Sequence, residues 1–247
     1  MMTQARYVVN GLLDLLYPPV CLLCRKRLEE GAMCAECQRK ITPILPPFCD
    51  RCGVSVRPDR TVCEPCENGM EPPFAWAQAL GSYDGTLKEA IHRLKYDGKA
   101  ALAEPLGLLL ARSLTASSPL VKFRDNQPAF DAIVPIPLHP ARQRERGFNQ
   151  SERIARVVSR EMNWRMDASG LRRVRRTRPQ ARMDNAEERA ANIRDAFAAR
   201  SPLHFENQHV LLIDDVITTT STVKAAANAV RDAGAARICV LALARGE

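Results

Sequence analysis

Apolar residues beyond position 74 alternate between short continuous runs and the spacing of a helix face. Leu87, Ile91 and Leu94 lie three or four positions apart and therefore share one face of a predicted helix. The run at residues 210–213 is continuous, which is typical of a strand buried on both faces of a sheet. The pattern predicts strands at residues 75–83, 131–135, 209–213 and 238–244, and helices at about 87–94, 105–114, 151–162 and 223–233. This alternation favours an α/β fold with a mostly parallel sheet flanked by helices.

The first 66 residues carry a different signal, because eight of the nine cysteines lie there. They form four Cys-x-x-Cys pairs, which are Cys21/Cys24, Cys34/Cys37, Cys49/Cys52 and Cys63/Cys66. Each pair can place two thiolates on one side of a tight turn, so two pairs complete a tetrahedral Zn²⁺ site. We therefore expect two closed, structural zinc sites that supply most of the stability of this segment. The predicted division is an N-terminal helix and double zinc ribbon over residues 1–70, followed by an α/β domain over residues 74–247.

Sequential pairing of the cysteine turns, first with second and third with fourth, is the arrangement we expect, although the spacing also allows a cross-braced one. Disulfides are disfavoured because the apolar residues 7–16 include Asp14 and lack the features of an export signal. Four pairs also argue against a thioredoxin-like redox site, which needs only one.

No apolar run reaches the roughly 18 residues of a membrane span. We expect a cytoplasmic protein that does not insert into membranes.

The formal net charge of +8 comes from one stretch of the chain, residues 142–200. This stretch holds 16 arginines, no lysine and 8 acidic residues, whereas the rest of the chain is balanced. Arginine presents a rigid, permanently charged fork that suits phosphate. We expect an anionic ligand nearby, either a phosphorylated small molecule or a nucleic acid, although a solvated basic surface would give the same count.

Two acids and a run of hydroxyl residues follow the apolar run at 210–213. Asp214 and Asp215 come first, at the predicted carboxyl end of the strand, where open α/β sheets bind ligands. Residues 218–222 then lead into a helix, whose free N–H groups and dipole favour phosphate. The carboxylates suit sugar hydroxyls, or a Mg²⁺ that bridges them to a polyphosphate. The segment predicts a site for a phosphorylated ribose; in the simpler alternative, the acids form a turn and the hydroxyls cap the helix.

Several segments resemble known proteins. Residues 214–222 resemble the motif that binds 5-phosphoribosyl 1-pyrophosphate (PRPP) in type I phosphoribosyltransferases. Residues 83–96 and 135–150, the segment 176–180 with Arg189, Asn192, Ala196 and Phe197, and the four cysteine pairs resemble the ComF family of competence proteins. The resemblance covers nearly the whole chain. It implies a type I phosphoribosyltransferase-like fold for the second domain, preceded by a double zinc ribbon.

The resemblance also implies roles for individual positions. Asp214 and Asp215 would bind the ribose hydroxyls at the catalytic centre. The residues that would hold the 5′-phosphate and pyrophosphate are Thr218, Thr219, Thr220, Ser221, Thr222, Pro137, Leu138, His139, Arg144 and Arg146, with Arg142 nearby. A hood over the site, or a surface for nucleic acid, would include Arg172, Arg173, Arg175, Arg176 and Arg178.

Two positions depart from the family pattern. Thr220 stands where the family usually has glycine, which predicts either a differently shaped loop or weaker phosphate binding, since only glycine adopts positive φ freely. Thr218 stands where some purine phosphoribosyltransferases have an Asp that acts as general base. The chain therefore resembles members that lack that base.

The resemblance implies a function in natural transformation or in the use of DNA as a nutrient. The expected ligands are PRPP, or another phosphoribosyl compound, and single-stranded DNA, with a DNA-uptake helicase and recombination proteins as partners. Zn²⁺ at two structural sites and Mg²⁺ with PRPP are the expected cofactors. The alternative is an active, Mg²⁺-dependent phosphoribosyltransferase that acts on an unknown small-molecule acceptor.

Overall fold

A four-stranded parallel sheet forms the centre of the protein. The computed structural model describes residues 18–69, 71–114, 129–175, 195–218 and 220–246. Its strands are β1 Trp76–Ser82, β2 Ala132–Pro135, β3 Leu171–Arg173, β4 Phe197–Ala199, β5 His209–Ile217 and β6 Arg237–Arg245. Its helices are α1 Ala35–Arg39, α2 Glu64–Asn68, α3 Gly85–Tyr96, α4 Ala103–Ser113, α5 Pro140–Arg146, α6 Gln150–Met162 and α7 Ser221–Asp232, and the 3₁₀ turn Ala100–Leu102 precedes α4.

The strand order of the sheet is β1-β6-β5-β2, and all neighbouring strands are parallel. Helices α3, α4 and α6 cover one face, where Leu94, Leu106 and Ile154 pack in a buried core. Helix α7 and the antiparallel pair β3–β4 cover the other face, through residues such as Val230 and Phe197. Because the strands are parallel, the loops and helices that follow them converge at one edge of the sheet.

The predicted fold class is confirmed, and each predicted strand and helix of the second domain is present. The end of β5 differs from the prediction of residue 213. The strand continues to Ile217, which pairs with Arg245 of β6. Asp214 and Asp215 therefore lie within the strand and not after it. Helix α5 and strands β3 and β4 were not predicted, because each is short and only partly buried. The predicted N-terminal helix lies outside the described residues.

The cysteine-rich segment covers the outer edge of β1. Pro43 forms a β-bridge with Gly81, and the Ala77 N–H donates to the Arg51 carbonyl at 2.9 Å. A Cβ atom at Gly81 would lie 2.4 Å from the Thr42 carbonyl oxygen, so only glycine permits this approach. An uncovered edge strand would present unpaired backbone groups to other chains. The ribbon therefore covers the edge of β1 that no other strand pairs with among the described residues. The predicted domain division near residues 70–74 stays a prediction.

The four cysteine pairs come together in sequential order. In each cluster, Cys21/Cys24/Cys34/Cys37 and Cys49/Cys52/Cys63/Cys66, all sulfur atoms lie within 4.8 Å of one another. The Sγ–Sγ separations include 3.8 Å for Cys21–Cys37 and 3.6 Å for Cys52–Cys63. Tetrahedral Zn–S bonds of about 2.3 Å place sulfur atoms roughly 3.8 Å apart, whereas a disulfide needs about 2.05 Å. Both clusters therefore have the donor set and spacing of a structural Zn²⁺ site.

The two clusters differ in what surrounds them. Cys21, Cys34 and Cys37 are buried in the same core as helices α3 and α4, whereas Cys49, Cys52 and Cys63 form a small separate core. Loss of metal from the first cluster should therefore loosen the main domain as well as the ribbon.

Among the described residues, no helix has the length and apolar character that crossing a membrane demands.

Single cysteine substitutions test this difference. We expect Cys37→Ser and Cys63→Ser each to lose one of two bound zinc ions, because each removes a ligand from one closed site. Cys37→Ser should lower the melting temperature of the main domain by several degrees more than Cys63→Ser. Metal content and differential scanning calorimetry measure both effects. Cys239→Ala, which changes a buried thiol outside both clusters, should keep two zinc ions, and an equal loss of stability in the two cluster variants would contradict the account.

Candidate functional site

A cleft of about 180 Å³ opens at the carboxyl edge of the sheet, where β2 and β5 meet helices α3, α5, α6 and α7. Four of the side chains that line it are cationic and two are acidic, so its net charge favours an anionic ligand. The lining residues are Lys95, Tyr96, Ile136, Pro137, Leu138, Arg142, Arg146, Gln150, Ser151, Arg173, Asp214, Asp215, Val216 and Thr222.

The two acids are almost fully buried, with Asp214 8% and Asp215 4% exposed. One oxygen of Asp214, Oδ1, accepts hydrogen bonds from the Ser151 hydroxyl at 3.2 Å and from the Asp215 N–H at 2.9 Å. The Asp215 carboxylate accepts a hydrogen bond from the Gln150 side-chain amide at Oδ2 and lies 2.7 Å from Lys95 Nζ at Oδ1. Donors from α3 and α6 thus hold both carboxylates in place.

Burial and neighbouring charges shift the pKa values of this group. Burial and the negative charge of Asp215 raise the pKa of Asp214 to about 7, although Lys95 and the Ser151 hydroxyl act in the opposite direction. Burial alone would lower the pKa of Lys95, but the carboxylates of Asp215 and Asp214 outweigh it and raise that pKa. Lys95 therefore carries its charge at neutral pH, directly beside the acidic pair.

The segment Arg146-Gly-Phe-Asn-Gln150 builds one wall of the cleft. Gly147 ends α5 with φ of 81°, a conformation that favours glycine. Asn149 then caps α6: its side-chain oxygen accepts from the Ser151 N–H at 3.1 Å, and its amide donates to the Ile136 carbonyl at 3.2 Å. These two bonds fix the start of α6 beside the end of β2. As a result, Gln150 and Ser151 reach the acidic pair.

Three arginines supply the positive wall of the cleft: Arg142 and Arg146 from α5 and Arg173 from β3. The Arg146 guanidinium donates to Gln150 Oε1 at 2.5 Å and lies 5.2 Å from the centre of the Tyr96 ring. Burial and the charge of Arg142 lower the pKa of Arg173 to about 10, with Asp214 acting against this shift. Guanidinium groups in such a cluster can bind phosphate through paired hydrogen bonds.

The hydroxyl loop has a different shape from the one that a glycine would require. Thr220 precedes α7 with φ of −65° and ψ of 2°, so this position needs no positive φ. Thr222 in the first turn of α7 lines the cleft, and Ser221 begins that helix half-buried. Thr218 is exposed and outside the lining, and Thr219 lies outside the described residues. Only the helix end of the predicted loop therefore reaches the cleft among the described residues.

The other predicted residues differ in where they lie relative to the cleft. Pro137 and Leu138 line the cleft, whereas His139 caps α5 by accepting from the Ala141 N–H at 3.2 Å. Arg144 is exposed and does not line the cleft, since it is Arg142 and Arg146 on the same helix that face it. Arg172 and Arg175 are exposed beside Arg173, and Arg176 and Arg178 lie outside the described residues.

Sequence reasoning gave no role to Lys95, Tyr96, Gln150 or Ser151, which the structure places in the cleft. Lys95 and Tyr96 end helix α3, more than 110 positions before Asp214 in the chain. The only sequence signal for Lys95 and Tyr96 is that they lie within residues 83–96, which resemble a segment of the ComF family. The contact of α3 with β5 is a product of the tertiary fold, and no local pattern encodes it.

A pH series tests the buried state of Asp214. Because the native pKa of Asp214 is raised from its usual value near 4 to about 7, the native protein binds more protons than the unfolded chain between these values. Stability should fall as pH rises from 5.5 to 7, and Asp214→Asn should gain on the order of 2 kcal/mol relative to the parent over that window. Urea denaturation at several pH values measures this difference. Asp232→Asn, an exposed change at the far end of α7, is the control, and parallel curves for Asp214→Asn and the parent would refute the assignment.

Comparisons with known proteins give matches to the cysteine-rich segment and to nearly the whole chain. A family model described as a double zinc ribbon domain matches residues 12–72. The DNA utilization protein YhgH of Escherichia coli K12 is 30% identical over 230 residues, which are 92% of this chain and 97% of that protein. Competence protein F of Haemophilus influenzae is 30% identical over 229 residues, with 91% and 96% covered.

Among solved structures, the allosteric regulatory enzyme of purine biosynthesis matches with a TM-score of 0.37 and 18% identity. That match covers 57% of this chain and 25% of the enzyme. The relatives, in contrast, match over nearly their full length at 30% identity. The chain therefore belongs to the ComF/YhgH family of competence and DNA utilization proteins.

Proposed function

We propose that this protein acts in the uptake or utilization of DNA and that its second domain binds a phosphoribosyl ligand such as PRPP. The observation that carries the proposal is the meeting, in one cleft, of two buried carboxylates and three arginines. Carboxylates accept hydrogen bonds from sugar hydroxyls, and guanidinium groups bind phosphate. The names of the relatives, which refer to DNA utilization and competence, give the proposal its biological setting.

Each part of such a ligand has a candidate partner. The ribose hydroxyls would face Asp214 and Asp215, which their donors hold in a fixed orientation. The 5′-phosphate would lie at the start of α7, where Thr222 lines the cleft and the helix offers free N–H groups. A pyrophosphate would meet Arg142 and Arg146.

Mg²⁺, which we expected with PRPP, does not fit the acidic pair as a direct ligand set. Mg²⁺ requires oxygen atoms at about 2.0–2.1 Å in near-octahedral geometry. Asp214 Oδ1 and both oxygens of Asp215 already accept hydrogen bonds or an ion pair from the protein. No step of the proposal is therefore assigned to a metal on these carboxylates.

Single-stranded DNA is the second ligand that we propose, on the arginine-rich surface beside the cleft. Arg172 and Arg175 are exposed on and next to β3, directly beside Arg173, which lines the cleft. DNA phosphates bound by such residues release counterions, so binding depends on salt. A DNA-uptake helicase and recombination proteins are the protein partners that we propose, in line with the family resemblance.

Isothermal titration calorimetry with PRPP and with ribose 5-phosphate tests the phosphoribosyl site. We expect both ligands to bind the zinc-loaded protein, and the pair of substitutions Asp214→Asn and Asp215→Asn to weaken binding at least tenfold, because an amide accepts fewer hydrogen bonds from hydroxyls. Asp232→Asn should bind as the parent does. Absence of heat with both ligands, or unchanged affinity in the double variant, would overturn the proposal. Release of pyrophosphate from PRPP when acceptors are added would favour the alternative, a phosphoribosyltransferase of small molecules.

Fluorescence anisotropy with a labelled single-stranded oligonucleotide tests the DNA surface. Affinity should fall steeply as salt rises, and the slope of log K against log salt should decrease by roughly 0.7 for each phosphate contact that is removed. Arg172→Gln with Arg175→Gln should reduce the slope, whereas Arg231→Gln, an exposed change at the far end of α7, should leave it unchanged. A slope near zero in the parent, or the same slope in both variants, would count against DNA binding at this surface.

A further inference from the structure

Lys95 occupies the position at the acidic pair that a divalent cation would need. Its Nζ atom lies 2.7 Å from Asp215 Oδ1, and the two side chains are only 16% and 6% exposed. Hydrogen bonds between charged groups at this distance are among the strongest that side chains make. A Mg²⁺ ion at bonding distance from the same oxygen would lie next to the ammonium group, where the two positive charges repel.

The fold fixes both Lys95 and the carboxylates beside it. Lys95 lies in the last turn of α3, where the carbonyl end of the helix dipole favours a cation. From α6, the Gln150 amide donates to Asp215 Oδ2 and the Ser151 hydroxyl donates to Asp214 Oδ1. Rotation of either carboxylate toward a metal would therefore break contacts with α6.

The charge balance of the cleft also argues against a metal ion at the acidic pair. Arg142, Arg146 and Arg173 line the cleft together with Lys95, against two carboxylates. The protein therefore supplies the positive charge for an anionic ligand from its own side chains. A metal ion is not required to neutralise the acids or to attract a phosphate.

We infer that Lys95 is a built-in counter-ion of Asp215, which makes binding of a ribose phosphate independent of divalent cations. The inference rests on the proposed phosphoribosyl site and adds a specificity to it: the site selects a sugar phosphate without its metal complex. Lys95 acts here as a positioning residue, because it orients Asp215 and keeps a metal from the pair.

Two measurements on the zinc-loaded protein test this inference while Lys95 is left in place. In buffer freed of divalent ions by a chelating resin, which avoids removing zinc with a soluble chelator, the affinity for ribose 5-phosphate should stay within about threefold of that in excess Mg²⁺. Electron paramagnetic resonance of added Mn²⁺ should detect no site that Asp215→Asn abolishes. A requirement for Mg²⁺, or a Mn²⁺ site that depends on Asp215, would overturn the inference.

Substitution of Lys95 should create a metal site and a dependence on Mg²⁺ that the parent protein lacks. Lys95→Met leaves two adjacent carboxylates without their ammonium, so we expect a new Mn²⁺ site that the additional change Asp214→Asn removes. Its affinity for ribose 5-phosphate should fall at least tenfold in metal-free buffer and recover when Mg²⁺ is added. Lys95→Arg, which keeps the charge, should gain no Mn²⁺ site, and Lys88→Met, an exposed change on the same helix, should behave as the parent does.

The outcomes separate this inference from the proposed function. If ribose 5-phosphate binds only with Mg²⁺, the phosphoribosyl site stands and the role of Lys95 is wrong. If ribose 5-phosphate binds under no condition, the proposed site fails, while the Mn²⁺ measurements still decide whether Lys95 excludes a metal. If Lys95→Met gains no Mn²⁺ site while it retains its fold by circular dichroism, the counter-ion role is wrong.

Discussion

The burial of two neighbouring carboxylates near the end of β5 is the constraint on which the rest of the site depends. Buried charges are costly unless they are paired and hydrogen-bonded, and two adjacent acids also repel each other. The structure offsets this cost with Lys95 from α3 and with Gln150 and Ser151 from α6. Two helices that lie far apart in the chain, α3 and α6, must therefore pack at one edge of the sheet. Helix α5, which carries two of the cleft arginines, leads directly into α6.

The zinc ribbon takes part in the same arrangement. Its segment around Pro43 pairs with the edge of β1, and the Leu22 carbonyl, between two cysteines of the first cluster, accepts a hydrogen bond from Arg93 of α3. Helix α3 also carries Lys95, two residues further along. Helix α3 thus contacts both the segment that carries the first cysteine cluster and the acidic pair. This connection gives the ribbon a role in the geometry of the cleft in addition to its own folding.

The sequence predicts the parts of this protein whose signals are local. Apolar runs locate β5 and β6, the spacing of Leu87, Ile91 and Leu94 locates α3, and the cysteine pairs indicate two closed metal clusters. The sequence places the end of β5 too early, because Asp214 and Asp215 are polar, yet Asp214 pairs with Ala242 of β6 and the strand continues to Ile217. Lys95 could not be connected with Asp215 from the sequence, since that contact depends on how α3 packs against the sheet. Of the two alternatives at Thr220, the structure shows the differently shaped loop, because the chain enters α7 there with an ordinary negative φ.

A high-resolution crystal structure of the zinc-loaded protein soaked with ribose 5-phosphate in metal-free solution would test the central claim most directly. We predict electron density for the sugar hydroxyls within hydrogen-bond distance of Asp214 and Asp215, with the phosphate facing the arginines or the start of α7 and Lys95 still in contact with Asp215. Ligand density elsewhere, or a metal ion on the two carboxylates with Lys95 displaced, would contradict the account.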